Sequence, residues 1–332
     1  MNTRMRALAL LVALGVPALA RAQDQSTVDA TPASAPAATR VVLGRFETSY
    51  AHDEAHKGRA FNVELAAQAF DGKALAPGQV LSFNDTVGER TAAFGYAKAT
   101  VIRDGMLAEG TGGGACQVAS TLHTAALLAG LEIVARTPHS RASAYIRMGF
   151  DATVAASAGP GAPAIDLKLR NTFAVTVTVR SKAAKGNLEI WFEGPSSVRQ
   201  HVTVKSELEQ RVRAGRVARI DRSVPDDTVR LIAYGAPGFR VRRTREITIS
   251  DGTVRRDIRV DQYSPTDEIG LIAPTFEASR WTNVGKADEA DDGEPSAATP
   301  FHVVVAPSAV APALVQLRPS QRVTLQNMDP QP

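Results

Sequence analysis

Two stretches of the chain space their apolar residues as helices do, and nearly everything else with regular patterning reads as strand. VVLGRFETSY (Val41 to Tyr50) is a β-branched and aromatic run typical of a strand. Phe61 to Phe70 (FNVELAAQAF) places apolar groups on one face of a helix, which Asp71-Gly72 closes. Pro77-Gly78 signals a turn into a short strand from Val80 to Phe83. Gly112-Gly113-Gly114 then interrupts the chain before CQVASTLHTAALLAGL, a second helix that Gly130 can end. LEIVAR, IDLKLRN, VTVTVRS and LEIWFEG follow as strands, with a turn at Lys185-Gly186. Beyond Val202, RLIAY, FRVRRTREITI and VRRDIRV alternate basic with apolar residues, as strands with one wet face do.

This pattern predicts an α+β fold in two parts. A β-rich first domain, residues 40–200, carries a helix behind the Gly-Gly-Gly-Ala-Cys turn, and a small all-β module follows over 202–275. The ends differ in composition. Arg4 and Arg6, the apolar run Ala7 to Ala18 and the small residues Ala20 and Ala22 make residues 1–22 a signal peptide for export to the periplasm or cell envelope. Residues 23–39 read as a linker, and 276–332 as a largely disordered tail with one strand-like run, FHVVVA. No later segment has the ~20 apolar residues of a membrane span, so no stable span is expected after cleavage. The formal net charge of +4 among 332 residues suits anionic wall or membrane polymers and is too weak to indicate nucleic acid.

Export makes the single cysteine informative, because Cys116 has no partner for a disulfide within the chain. A thiol at a helix N-terminus is acidified by unpaired amides and the macrodipole, and Cys116 stands there behind three glycines. Burial as an inert core residue is the competing reading. Among the six histidines, His123 follows Cys116 by seven positions, a rise of roughly 10.5 Å that puts it beyond hydrogen-bond reach of the thiol. His139, in the loop Arg136-Thr-Pro-His-Ser140, is the plausible base, with Asp151 or Ser140 to orient it. His52 and His56 have an i, i+4 spacing, but their charged surroundings do not form a zinc-protease motif, and no metal is expected.

GGGACQVASTLHTAALLAGLEIVARTPHS, YIRMGFDATV and DLKLRN, with FETSY, APGQVLSFNDTVGERT and GYAKATVI upstream, resemble the VanW family of bacterial envelope proteins. That family usually has Ile where Ala115 stands, and often Tyr-Asn where His123-Thr124 stand. Some of its members act as L,D-transpeptidases that cross-link peptidoglycan through a cysteine acyl-enzyme. The resemblance implies Cys116 as nucleophile and His139 as base, without a cofactor, and places Asp151 in a matching motif as a further catalytic candidate. It implies that Gly112, Gly113 and Gly114 shape the turn, and that Gln117, Ser120, Asn84 and Arg90 bind substrate, a peptidoglycan stem peptide or other wall polymer. A non-catalytic envelope protein that binds peptidoglycan or a glycopeptide, linked to vancomycin-type resistance, is the alternative. The module with GAPGFRVRRTREITISDGTVRRDIRV is loosely similar to the wall-associated G-five module.

Overall fold

The computed structural model describes residues 39–103, 106–157, 163–198, 200–282, 302–310 and 323–326. The segments expected as signal peptide (1–22) and linker (23–39) lie outside the described residues, apart from Thr39.

Alternation of buried and exposed positions builds the first sheet. In β9 (Asn187–Pro195), Leu188, Ile190 and Phe192 face the core, and the residues between them are only partly covered. β9 pairs antiparallel with β1 (Arg40–Ser49) on one side and β8 (Val177–Ala184) on the other, and β2 (Ala74–Leu75) closes the far edge. Lys185 and Gly186 both take positive φ, 51° and 82°, the tight turn that joins β8 to β9.

Two helices cover this sheet. α1 (Lys57–Gln68) buries Ala60, Val63, Ala66 and Ala67, an i, i+3 stripe of small residues that lets the helix lie close to its neighbours. It starts four residues before the stretch FNVELAAQAF, because Asp53 caps a turn of 3₁₀-helix over Glu54–His56 that leads directly into it. α3 (Ala115–Leu128) is buried along almost its whole length. It ends as a Schellman motif: the Gly130 N–H binds the Leu127 carbonyl at 3.1 Å and the Leu131 N–H binds that of Ala126 at 3.1 Å. Around this layer stand a three-stranded sheet, β3 (Val80–Ser82), β7 (Lys168–Arg170) and β6 (Glu132–Ala135), and a hairpin of β4 (Lys98–Arg103) and β5 (Met106–Thr111). The short helix α2 (Phe83–Val87) follows β3 directly, capped by the Ser82 hydroxyl.

The remaining strands form two further sheets. One runs β14 (Val254–Tyr263), β13 (Gly238–Ile249), β10 (Gln200–Val212), β17 (Val323–Gln326). The other runs β11 (Arg216–Ile220), β15 (Glu268–Ile272), β12 (Thr228–Ala233), β16 (His302–Val310), with α4 (Ala278–Thr282) contributing Trp281 to its core. Within the stretch expected as a largely disordered tail, α4, β16 and β17 are described, and 283–301, 311–322 and 327–332 lie outside the described residues. The protein is thus α+β and rich in strands.

One apolar cluster joins the later strands to the helical layer: Leu127, Leu128, Ile146 and Phe150 pack with Val202, Val204 and Ile247. The face of β13 expected to be wet is turned inward at two positions. Val241, Arg243, Arg245 and Ile247 share the buried side, since residues two apart in a strand point the same way. Arg245 donates to the Leu131 carbonyl at 2.7 Å and Arg243 to the Gly149 carbonyl at 2.8 Å. Both guanidiniums satisfy carbonyls of the segments around α3, which is why they are inside.

Candidate active site

The glycine turn is fixed by what lies against it. Gly112 and Gly114 have φ of 81° and 117°, the left-handed region that penalises any residue with a Cβ. A Cβ at Gly112 would also fall 2.8 Å from Arg90 Cβ, and one at Gly114 2.9 Å from Val63 Cγ2. Asn62, fully buried on α1, clamps the turn: its amide nitrogen donates to the Gly113 and Ala97 carbonyls, each at 3.0 Å, and its oxygen accepts the Ala97 N–H at 2.8 Å. Cys116 is therefore delivered to the second position of α3, in a first turn where the Ala115 N–H bonds the Gly112 carbonyl at 3.4 Å and the Gln117 and Val118 N–H groups bond that of Gly114 at 2.9 and 3.3 Å.

Cys116 is half-buried, with its sulfur 3.5 Å from the Val154 carbonyl oxygen. Burial alone would raise its pKa. The hydrogen bond and charge of His139, with Val154 and Arg90, outweigh that and bring the thiol below its ordinary value. His139 moves the other way: burial disfavours its charge, but hydrogen bonds to Asp151 and Cys116 and their charges raise its pKa to about 9. Each group thus favours the charged form of the other.

Asp151 orients the imidazole. Its Oδ2 accepts from His139 Nδ1 at 2.8 Å and from the His139 backbone N–H at 2.6 Å. Nε2 is then the nitrogen left for the thiol, with the Tyr145 hydroxyl 3.2 Å from it. Burial would raise the Asp151 pKa, but His139 and Arg136 hold the carboxyl far below the usual carboxylate range. Cys116, His139 and Asp151 thus stand as a thiol, an imidazole and a carboxylate in sequence.

A further ring of groups holds Asp151. Arg136 donates Nη2 to Asp151 Oδ1 at 2.9 Å and Nε to the Asp151 carbonyl at 2.6 Å, while Nη1 reaches Asp261 Oδ1 at 2.5 Å. The Tyr263 hydroxyl donates to Asp151 Oδ1 at 2.5 Å and accepts the Gly149 N–H at 2.6 Å. Asp261 and Tyr263 lie on β14, and the adjoining Ser264 N–H binds the Ser140 carbonyl beside His139 at 2.9 Å.

The other residues taken from the sequence have definite places. Ser120 donates to the Cys116 carbonyl at 2.7 Å and accepts the Ala152 N–H at 2.9 Å, tying the cysteine turn to the Asp151 segment. Gln117 is buried, with its amide bonded to Thr48 and the Ser49 carbonyl, each at 2.9 Å, and to Arg59 at 2.7 Å. Its polar atoms are spent inside the protein, as are those of Ser120. Asn84 accepts from Arg90 Nη1 at 3.0 Å and donates to the Ile165 carbonyl at 2.9 Å, so it sets the Arg90 side chain. His123 bonds the Phe150 carbonyl at 2.7 Å through Nδ1 and Arg243 at 3.1 Å through Nε2. Burial and the nearby Arg243 and Arg136 keep it neutral, well below the ordinary histidine value. His56 is engaged with Asp53 at 2.7 Å.

Sequence reasoning passed over Arg59, Asn62, Arg136, Tyr145, Asp261 and Tyr263. Arg136 had a local signal, three positions before His139 in the same loop. Asp261 and Tyr263 had none.

Residues 58–192 match the family described as VanW like protein. This stretch is a VanW-like domain. The VanW-like domain holds Cys116, His139 and Asp151, together with Arg59, Asn62, Arg90, Arg136 and Tyr145, whereas Asp261 and Tyr263 lie beyond its end. The chain is also similar to "Uncharacterized protein YoaR" of Bacillus subtilis (strain 168), with 39% identity over 148 residues. That alignment covers 45% of this chain and 46% of the relative, so the two share about half their lengths. No helix among the described residues is long and apolar enough to cross a membrane.

Proposed function

We propose that this is an exported cell-envelope enzyme that remodels peptidoglycan as a cysteine L,D-transpeptidase. The reading rests on one observation above all: a thiol brought below its ordinary pKa by an imidazole that Asp151 holds by two hydrogen bonds. The Cys116 thiolate attacks the carbonyl of a stem-peptide residue that carries a terminal D-amino acid. The C–S bond forms, the C–N bond breaks, and the departing amine takes the proton held on His139 Nε2. The Cys116 N–H, at the start of α3, is the backbone donor offered to the oxyanion that develops on the carbonyl. An amine from a neighbouring stem then attacks the thioester, gives its proton to His139 and displaces the thiolate. The VanW-like match supports the envelope setting, and the basic charge balance suits an anionic wall.

The test is incubation of the purified full chain with stem tetrapeptides, followed by mass spectrometry. Released D-alanine and a cross-linked peptide are expected, with a thioester on Cys116 trapped early. Cys116→Ala should reduce product to background while keeping the native melting temperature. Undiminished product from that variant removes the proposal. A wild-type chain that binds the peptides and forms no thioester is instead a binding protein, and release of D-alanine to water alone marks a peptidase.

A further inference from the structure

Arg59 and Arg90 flank the turn that presents Cys116. Arg59, on α1, donates Nη2 to Gln117 at 2.7 Å, and its guanidinium carbon lies 5.8 Å from the centre of the Tyr145 ring. The hydroxyl of that ring is 3.2 Å from His139 Nε2. Arg90 rests on the other side: its Cβ occupies the space a side chain at Gly112 would need, and its Nη1 donates to Asn84 at 3.0 Å. Both side chains are half-buried.

Their hydrogen bonds go to neutral oxygens: the Gln117 amide for Arg59, the Asn84 amide and the Gly88 carbonyl for Arg90. Among the described residues, neither guanidinium has a carboxylate within ion-pair distance. Elsewhere in the protein the buried arginine at the site, Arg136, is matched by two, Asp151 and Asp261. Half-burying a cation is costly, and burial does draw both arginines below their ordinary pKa, opposed by Tyr145 and Cys116 at Arg59 and by Cys116, Tyr96 and the more distant Asp166 at Arg90. Cys116 has His139 as its own hydrogen-bond partner, so the two forks retain capacity for another anion. Guanidinium donors match a carboxylate in both charge and plane.

We propose that Arg59 and Arg90 form a carboxylate subsite beside Cys116, which selects acyl donors with a free terminal carboxylate one residue beyond the scissile carbonyl. The choice of donor rests on the acyl-transfer reading above. The leaving D-amino acid would be held by its own carboxylate, aligning the carbonyl before it with the sulfur. Donors extended by a further residue, or amidated, would be refused.

Binding to the full-length Cys116→Ala chain tests this without requiring turnover. Three probes are titrated calorimetrically: N-acetyl-L-lysyl-D-alanine, its C-terminal amide, and N-acetyl-L-glutamyl-D-alanine amide, whose carboxylate is on the side chain. The free acid should bind at least about tenfold more tightly than either amide, as charge-assisted hydrogen bonds imply. Arg59→Gln and Arg90→Gln, each introduced into that chain, should erase the preference, and Arg→Lys at either site should keep part of it. Melting temperatures confirm that each variant is folded. Equal affinity for acid and amide, or binding of the glutamyl amide as tight as that of the acid, or no binding of any probe, overturns the proposal. Alkylation of the wild-type thiol by iodoacetamide is followed separately, and an inert Cys116 would defeat the acyl-transfer reading alone.

Discussion

Cys116 and His139 share one proton economy. The thiol lies below its ordinary value and the imidazole is raised to about 9, each charge favouring the other. Acyl transfer should therefore climb through the thiol's pKa and fall again around pH 9, where His139 can no longer protonate the leaving amine. Measured rates against pH, with a stem tetrapeptide, should trace that bell. His139→Gln should slow transfer by at least about 100-fold and move the midpoint of iodoacetamide alkylation upward; an unmoved midpoint argues against the pair. The same groups link stability to pH. The folded His139 pKa exceeds the unfolded value of about 6.5, so its contribution is complete below that pH and disappears as pH rises through about 9. Asp151 is shifted the opposite way, so its contribution is present above about 3.9 and is lost as pH falls below it. Melting temperatures should peak between these limits, and Asp151→Asn should flatten both flanks.

At the scale of the element, the glycine turn and α3 act as one device. Gly114 in the left-handed region is the N-cap, and Val63 of α1 fills the space where its side chain would stand. Gly114→Ala would have to hold a positive φ and displace Val63, at a cost of about 1–3 kcal/mol. A lower denaturation midpoint is expected, together with slower iodoacetamide alkylation as Cys116 leaves the helix start. Unchanged alkylation would show that reactivity does not depend on this geometry. Asn62→Ala removes the clamp from the Gly113 and Ala97 carbonyls and should act in the same direction.

At the scale of the whole molecule, the site extends past the end of the VanW-like stretch. Tyr263 and Asp261 support Asp151 and Arg136 from β14, and Val202, Val204 and Ile247 cover Leu127, Leu128 and Phe150. A chain ending at residue 199 loses all of these contacts. It should expose the end of α3 and leave Arg136 without its second carboxylate. Tyr263→Phe is the milder probe, deleting the hydrogen bond to the Asp151 carboxylate, worth about 1.5–3 kcal/mol, and the one accepted from the Gly149 N–H. We expect it to lower kcat at least about tenfold with KM little changed, because it disturbs the orienting carboxylate and leaves the Arg59 and Arg90 side untouched. A wild-type kcat in that variant would make β14 a mere cover.

Local chemistry explains what was legible in the sequence. Backbone signals act over a few residues, so the glycine bend, the helix behind it, its stop at Gly130 and the Lys185-Gly186 turn were all readable, as was the strand-rich character. The candidates Cys116, His139 and Asp151 came from residue type and from resemblance, and only the folded chain places their side chains in contact. The sequence offered no way to know that Arg243 and Arg245 face inward, because alternation in β13 gives a period and not the side on which the core lies. Nor did it mark Tyr263 and Asp261, which stand 112 and 125 positions from the residues they hold. Those partnerships exist because apolar packing draws β10 and β13 onto the end of α3, and a buried carboxylate must then find its donors among whatever that packing brings near.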